Sequence, residues 1–191
     1  MPRSYMFTKE QVLDAAIELT REKGFSAVSA RSLGDRLGTT SRPIFSHFEN
    51  MADVQKGIIG AANKIYQSFR EEEIKSGRYV PYKASGMAYI RFAKGEKELF
   101  KLLFMRDRSG EQITENPEEM EALIGLIAKQ VNIDKEAARF FYLEMWAYTH
   151  GIASMIATGF YEWDEQLASR ALTDVYEGLK HRYKNGGVRN D

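Results

Sequence analysis

The stretch 24–48, GFSAVSARSLGDRLGTTSRPIFSHF, constrains this chain more than any other. It reads as two short helices joined by a tight turn at Leu37-Gly38-Thr39. Ser29 is placed to cap a helix over Ala30–Leu37, with Leu33 and Leu37 on its inner side, and Gly38 ends it. Thr40 is placed to cap another over Ser41–Phe48. Pro43 falls in the first turn of that helix, where a missing N–H costs nothing. Ile44, Phe45 and Phe48 face inward, and small, polar and basic residues occupy the start. This layout suits a helix-turn-helix, whose second helix enters the DNA major groove by its N-terminal end.

The flanking segments are helical too. Thr8 and Gln11 have the spacing of a capping box, and Phe7 and Val12 that of a hydrophobic staple. Val12, Leu13, Ala16, Ile17 and Leu19 then form one apolar face, and Gly24 offers a left-handed stop after Lys23. Asn50 and Asp53 open a helix over about 51–76, with Val54, Ile58, Ala61, Ala62, Ile65 and Phe69 inside. Gly77 and Pro81 mark a connection, and helices follow near 82–94 and 96–106. Residues 107–117 are polar and contain Gly and Pro, the pattern of a mobile loop. Helices near 117–130, 134–159 and 163–183 complete an all-α chain, and the tail 186–191 reads as disordered.

Composition supports this class. The chain has 43% hydrophobic residues, only 4 Pro and no Cys, so a packed core is within reach and thiolate zinc sites are excluded. No apolar run has signal-peptide or membrane-span length, so a cytoplasmic protein without a membrane partner is expected. Net charge is 0, but nucleic-acid binding depends on where cations face phosphate. Seven basic and five acidic residues precede position 49, leaving the N-terminal quarter at +2 and the rest at −2.

In a major-groove reading, Thr39, Thr40, Ser41, Arg42 and Pro43 reach base edges. Arg42 is suited to a bidentate guanine contact, worth about 1–3 kcal/mol of discrimination. The positive helix N-terminus favours phosphate. Arg31 and Ser32, at the start of the preceding helix, are placed for backbone contacts. Ser46 and His47 lie on the phosphate-facing side, while Arg36 reads as a solvated side chain.

The run from Leu13 to Val54 resembles the N-terminal domain of the TetR family of transcriptional regulators. The resemblance is carried by Ala15-Ala16, Gly24-Phe25, Ser29, the Leu33…Leu37-Gly38 turn and Ile44-Phe45-Ser46-His47-Phe48. It implies a three-helix DNA-binding domain with Ser41, Arg42 and Pro43 in the groove and His47 near phosphate. Phe45 and Met51 depart from the pattern, which usually has Tyr and often has Lys at those places; both groups grip phosphate. The segment 140–160 is similar to a C-terminal subtype carrying Trp146, His150 and Gly151. The resemblance therefore implies a C-terminal helical bundle for dimerisation and ligand binding. Domain limits of 1–50 and 51–185 follow.

Small residues Ala147, Gly151, Ala153, Ser154, Ala157 and Gly159 allow close helix approach. Leu167, Ala171, Leu172, Val175, Tyr176 and Leu179 have a/d-like spacing. Together they predict a homodimeric four-helix interface and a palindromic double-stranded DNA operator. A tentative effector pocket draws on Phe100, Phe104, Met120, Leu123, Tyr142, Met145, Trp146 and His150, with Glu144 as a further polar candidate. Its walls favour an apolar or aromatic small molecule. The resemblance implies a ligand-responsive repressor.

Catalysis is not expected. The three histidines, His47, His150 and His181, fall in different elements, and no HExxH, GxSxG, Walker or Rossmann pattern occurs. No metal or cofactor is expected either. The alternative is a helical protein-interaction module without sequence-specific DNA binding.

Overall fold

The computed structural model describes residues 6–109 and 117–185, and those residues form eight α-helices and no strand. The segment 110–116, within the expected mobile loop, and the tail 186–191 lie outside the described residues. The helices are α1 (Lys9–Lys23), α2 (Ala30–Arg36), α3 (Met51–Ser76), α4 (Pro81–Gly95), α5 (Lys97–Phe104), α6 (Pro117–Val131), α7 (Lys135–Thr158) and α8 (Glu165–Asn185).

Local chemistry accounts for most boundaries. The Thr8 hydroxyl accepts from the Gln11 N–H, and the Gln11 side chain accepts from the Thr8 N–H, so the predicted capping box forms. Asn50 caps α3 on the Asp53 N–H, and Asp134 caps α7 on the Ala137 N–H. Pro81 opens α4 without losing a hydrogen bond. Gly77 and Gly159, both in the left-handed region, close α3 and α7.

Two hydrophobic clusters hold the helices. The first runs from Val12, Leu33, Ile44 and Phe48 through Val54 and Ile58 to Phe92, Phe100 and Ala157. It therefore joins the N-terminal helices to α4, α5 and the end of α7. Arg21 on α1 adds a two-pronged bond to Glu96, at 2.8 and 2.5 Å, where α4 meets α5. The second cluster packs α6, α7 and α8 on α4 through Met87, Ile90, Ile124, Phe141, Met145 and Leu172.

Glu73, near the end of α3, is fully buried. One of its oxygens accepts from both Arg78 (2.9 Å) and Arg91 (2.5 Å). Arg78 also reaches Glu165 at the start of α8 (2.9 Å), so four charged groups tie α3, α4 and α8 together. The other Glu73 oxygen meets no donor among the described residues.

Candidate nucleic-acid interface

The helix-turn-helix forms, with one change. Ser29 and Ser32 cap α2 reciprocally: the Ser29 hydroxyl accepts from the Ser32 N–H, and the Ser32 hydroxyl accepts from the Ser29 N–H. Gly38 turns the chain at φ +66. The expected α-helix over Ser41–Phe48 is instead a turn followed by a 3₁₀ segment at Ile44–Ser46. Its bonds run from residue i to i+3: Ile44 N–H to Ser41 (3.3 Å), Ser46 N–H to Pro43 (3.1 Å) and His47 N–H to Ile44 (3.3 Å). Thr40, Ser41 and Pro43 are poor helix interiors, and eight residues give little cooperative gain beyond nucleation. The tighter, shorter form results.

The 39–48 segment is held by packing from beneath. Ile44 and Phe48 are buried in the first cluster. Gly34 on α2 lies against the turn so closely that a Cβ there would sit 2.9 Å from the Thr39 carbonyl oxygen and 3.1 Å from the Ser41 nitrogen. The Thr39 N–H also donates to the Gly34 carbonyl at 2.9 Å. Gly34 is a packing position that the sequence reading missed. Nothing local demands glycine there; only the neighbouring backbone does.

Thr40, Arg42 and Ser46 are exposed, and Thr39, Ser41 and Pro43 are half-buried around them. Arg31 is also exposed on the first turn of α2. Neither Arg31 nor Arg42 makes an ion pair among the described residues. Arg36 is exposed as expected but also forks onto Glu22 of α1, at 2.7 and 2.9 Å. That bond lowers the Glu22 pKa and raises that of Arg36. Arg36 stays at the surface with its charge paired, while Arg31 and Arg42 have no carboxylate partner among the described residues.

Ser32 and His47 are occupied within the chain. The Ser32 hydroxyl also donates to the Ala27 carbonyl at 2.8 Å. The His47 Nε2 lies 2.6 Å from the Phe7 carbonyl oxygen. Phe45, 40% exposed, sits on the outer side of the segment, and Met51 packs against the first cluster.

The tentative pocket residues divide between the two clusters. Phe100 and Phe104 belong to the first; Met120, Leu123, Tyr142 and Met145 belong to the second. Trp146, 47% exposed, and His150 stand at the edge of the first. Trp146 stacks on His150 with centroids 5.1 Å apart and planes 5° off parallel, and His150 stacks on Phe100 at 6.0 Å. His150 Nδ1 is 2.8 Å from the Tyr89 hydroxyl. Burial lowers the His150 pKa and so favours its neutral ring. Burial also pushes Tyr66 up to about 12 and raises Tyr82 and Tyr89 further. Glu144 is occupied by Arg182 (2.6 Å) and the Tyr183 hydroxyl (2.9 Å). The surface grooves lie elsewhere, one between α1 and α3 and one lined by Tyr148, Leu167, Ala171 and Val175.

Family comparison agrees with this geometry. The profile of bacterial regulatory proteins of the tetR family matches residues 12–56, across the helix-turn-helix. The profile of the tetracyclin repressor-like C-terminal domain matches residues 82–176. The chain belongs to the TetR family.

It is accordingly a DNA-binding transcriptional regulator, and TetR regulators are generally non-enzymatic. A comparison with curated proteins gives no match. Solved structures share the TetR fold at low identity. A TetR-like transcriptional regulator from Rhodococcus sp. RHA1 aligns with TM-score 0.66 and 15% identity, over 97% of this chain and 99% of that one. A TetR family member from Streptomyces coelicolor A3 aligns with TM-score 0.61 and 18% identity, over 88% and 98%. The multidrug binding protein EbrR, complexed with imidazole, aligns with TM-score 0.56 and 18% identity, over 87% and 93%. No helix among the described residues is long and apolar enough to cross a membrane.

Proposed function

We propose that this TetR-family chain is a homodimeric repressor that reads a palindromic operator through Thr39–Pro43 and releases it when a small apolar or aromatic molecule binds. One observation carries the DNA reading. Arg42 is exposed and unpaired at the front of the recognition segment, while nearby Arg36 is consumed by Glu22. A guanidinium left without a carboxylate is available for a bidentate guanine contact. Arg31 supplies a phosphate contact at the start of α2. Residues 1–50 serve DNA and 51–185 serve regulation.

An exposed apolar stripe supports the dimer. Phe140 (51% exposed), Leu143 (53%) and Ala147 recur along one side of α7, and Gly151 continues it. Leu167 (39%) is exposed on the neighbouring α8. Ala153, Ala157 and Leu172 point into the protomer instead, so the interface uses the outer half of the small-residue set. Two such protomers place two recognition segments about 34–36 Å apart on one DNA face.

The effector reading draws on the Trp146–His150–Phe100 stack at the edge of the first cluster. A ligand that prefers a conformation with badly spaced recognition segments lowers operator affinity by linkage. The EbrR relative is described as multidrug binding, which accords with a broad apolar site.

Selecting bound sequences from a random DNA pool tests function and symmetry together. A palindrome is expected, with affinity falling steeply with salt. Arg42→Ala should relax base preference without changing the oligomeric state. Unchanged recognition of the selected site by that variant rejects the role of Arg42, and a monomer in light scattering at micromolar concentration rejects the dimer.

A further inference from the structure

The recognition segment does not support itself. Its three 3₁₀ bonds are 3.1–3.3 Å long, and no side chain caps it. Yet three of its residues are touched by the short stretch at the other end of the domain. The Thr39 hydroxyl donates to the Met6 sulfur at 3.6 Å. The His47 Nε2 is 2.6 Å from the Phe7 carbonyl. The Lys9 ammonium lies 5.0 Å from the centre of the Phe48 ring. These contacts flank Thr40–Pro43 on both sides.

The stretch is itself anchored. Thr8 is locked into the capping box of α1, and the Phe7 side chain packs against the first cluster. A carbonyl oxygen only accepts, so His47 donates through a protonated Nε2. A bond of 2.6 Å to a part-buried acceptor fixes the imidazole against α1.

We infer that Met6–Lys9 is a brace for the reading segment and that His47 is a positioning residue for base recognition, acting through the Phe7 carbonyl. The inference rests on the reading that Thr39–Pro43 contact bases. The brace adds a hold at Thr39, His47 and Phe48 to the packing of Ile44 and Phe48 and the Thr39–Gly34 bond that seat the segment on α1 and α2. Base discrimination requires contacts held to within about 0.5 Å. A recognition segment with only i→i+3 bonds meets that tolerance through an external support.

The test compares His47→Leu, His47→Gln and a chain starting at Thr8 on the selected operator. Each is measured for affinity, base preference, salt slope and melting temperature. His47→Leu removes the donor, and His47→Gln keeps one. His47→Leu should lower operator affinity about ten-fold per half-site and flatten preference at the bases read by Thr39–Pro43. The salt slope should be unchanged, and His47→Gln should recover most of the loss. The shortened chain should match His47→Leu, and the two changes combined should cost no more than either alone.

A uniform loss across all sequences, with base preference kept, would make His47 a phosphate contact and overturn the inference, whatever the salt slope. So would wild-type preference in the shortened chain. Melting temperature separates these results from unfolding; if His47→Leu melts below the assay temperature, His47→Gln and the shortened chain decide. Failure of the base-reading proposal registers separately, as an Arg42→Ala variant with unaltered preference.

Discussion

Gly34→Ala isolates the close approach on which the recognition segment depends. The new Cβ would stand 2.9, 3.0 and 3.1 Å from backbone atoms of Thr39, Thr40 and Ser41, where ordinary contact begins at 3.4 Å. None of these atoms can rotate away, so the 39–41 backbone must retreat by about half an ångström, the tolerance of a recognition site. Overpacking of this kind costs about 1–3 kcal/mol. Against it, Ala in a helix interior is better than Gly by up to about 1 kcal/mol. The net loss of stability is about 0–2 kcal/mol, or a fall in melting temperature of no more than roughly 8 °C for a chain of this size. Operator affinity should suffer more. Misplacing one bidentate base contact costs about 1–3 kcal/mol in each half-site, which is roughly 5- to 150-fold per protomer. Fluorescence anisotropy on the selected operator, with thermal melting alongside, measures both quantities. Gly60→Ala is the control: Gly60 lies in α3 with open space at its Cβ position, so the same change should stabilise by about 0.4–1 kcal/mol and leave affinity alone. Wild-type affinity in Gly34→Ala, with no fall in melting temperature, would refute the claim that this contact sets the segment's position.

Three other outcomes follow from the packing. Leu143→Glu places a charge on the exposed stripe of α7; light scattering should report the mass of a single chain while helicity is kept, and a persistent dimer would move the interface elsewhere. Glu73→Ala removes the acceptor shared by Arg78 and Arg91 and should cost about 1–3 kcal/mol in denaturant unfolding, whereas Lys75→Ala, which breaks the exposed pair with Glu71, should cost under about 1 kcal/mol; equal effects would count against the buried network. Tyr66, Tyr82 and Tyr89 favour their neutral form in the folded chain, so the stability they contribute is complete below the ordinary tyrosine value of about 10 and is lost as pH rises through about 12 and beyond; titration by tyrosinate absorbance should show a late group ionising with unfolding, and ionisation of all ten tyrosines near their ordinary value before any unfolding would contradict their burial.

The elements legible in the sequence are those whose cause is local. Thr8 with Gln11, Asn50 with Asp53, and Asp134 announce helix starts because the bonds involved span only three residues. Gly38, Gly77 and Gly159 mark ends because a positive φ is a property of one residue. The apolar face of α1 and the inner residues of α3 emerge from spacing alone, and with them the helix-turn-helix; the regulatory class comes from the resemblance to the TetR family.

What escaped the sequence depends on atoms brought together from far along the chain. Arg36 reads as solvated and is exposed, but only the packing of α1 on α2 brings Glu22 within 2.7 Å to pair its charge. Gly34 is an unremarked helix residue until the Thr39–Ser41 backbone lies against it. His47 faces phosphate by family pattern, but its Nε2 meets the Phe7 carbonyl forty positions away. The 3₁₀ form of the recognition segment belongs with these. Thr, Ser and Pro weaken an α-helix over these eight residues, and the burial of Ile44 and Phe48 holds the segment in place. The sequence by itself thus determined the helices, their caps and the place of the DNA-reading turn. Tertiary packing alone decided which cations remain available and how the reading residues are held, because ion pairing and steric contact are set by distance in space and not by separation along the chain.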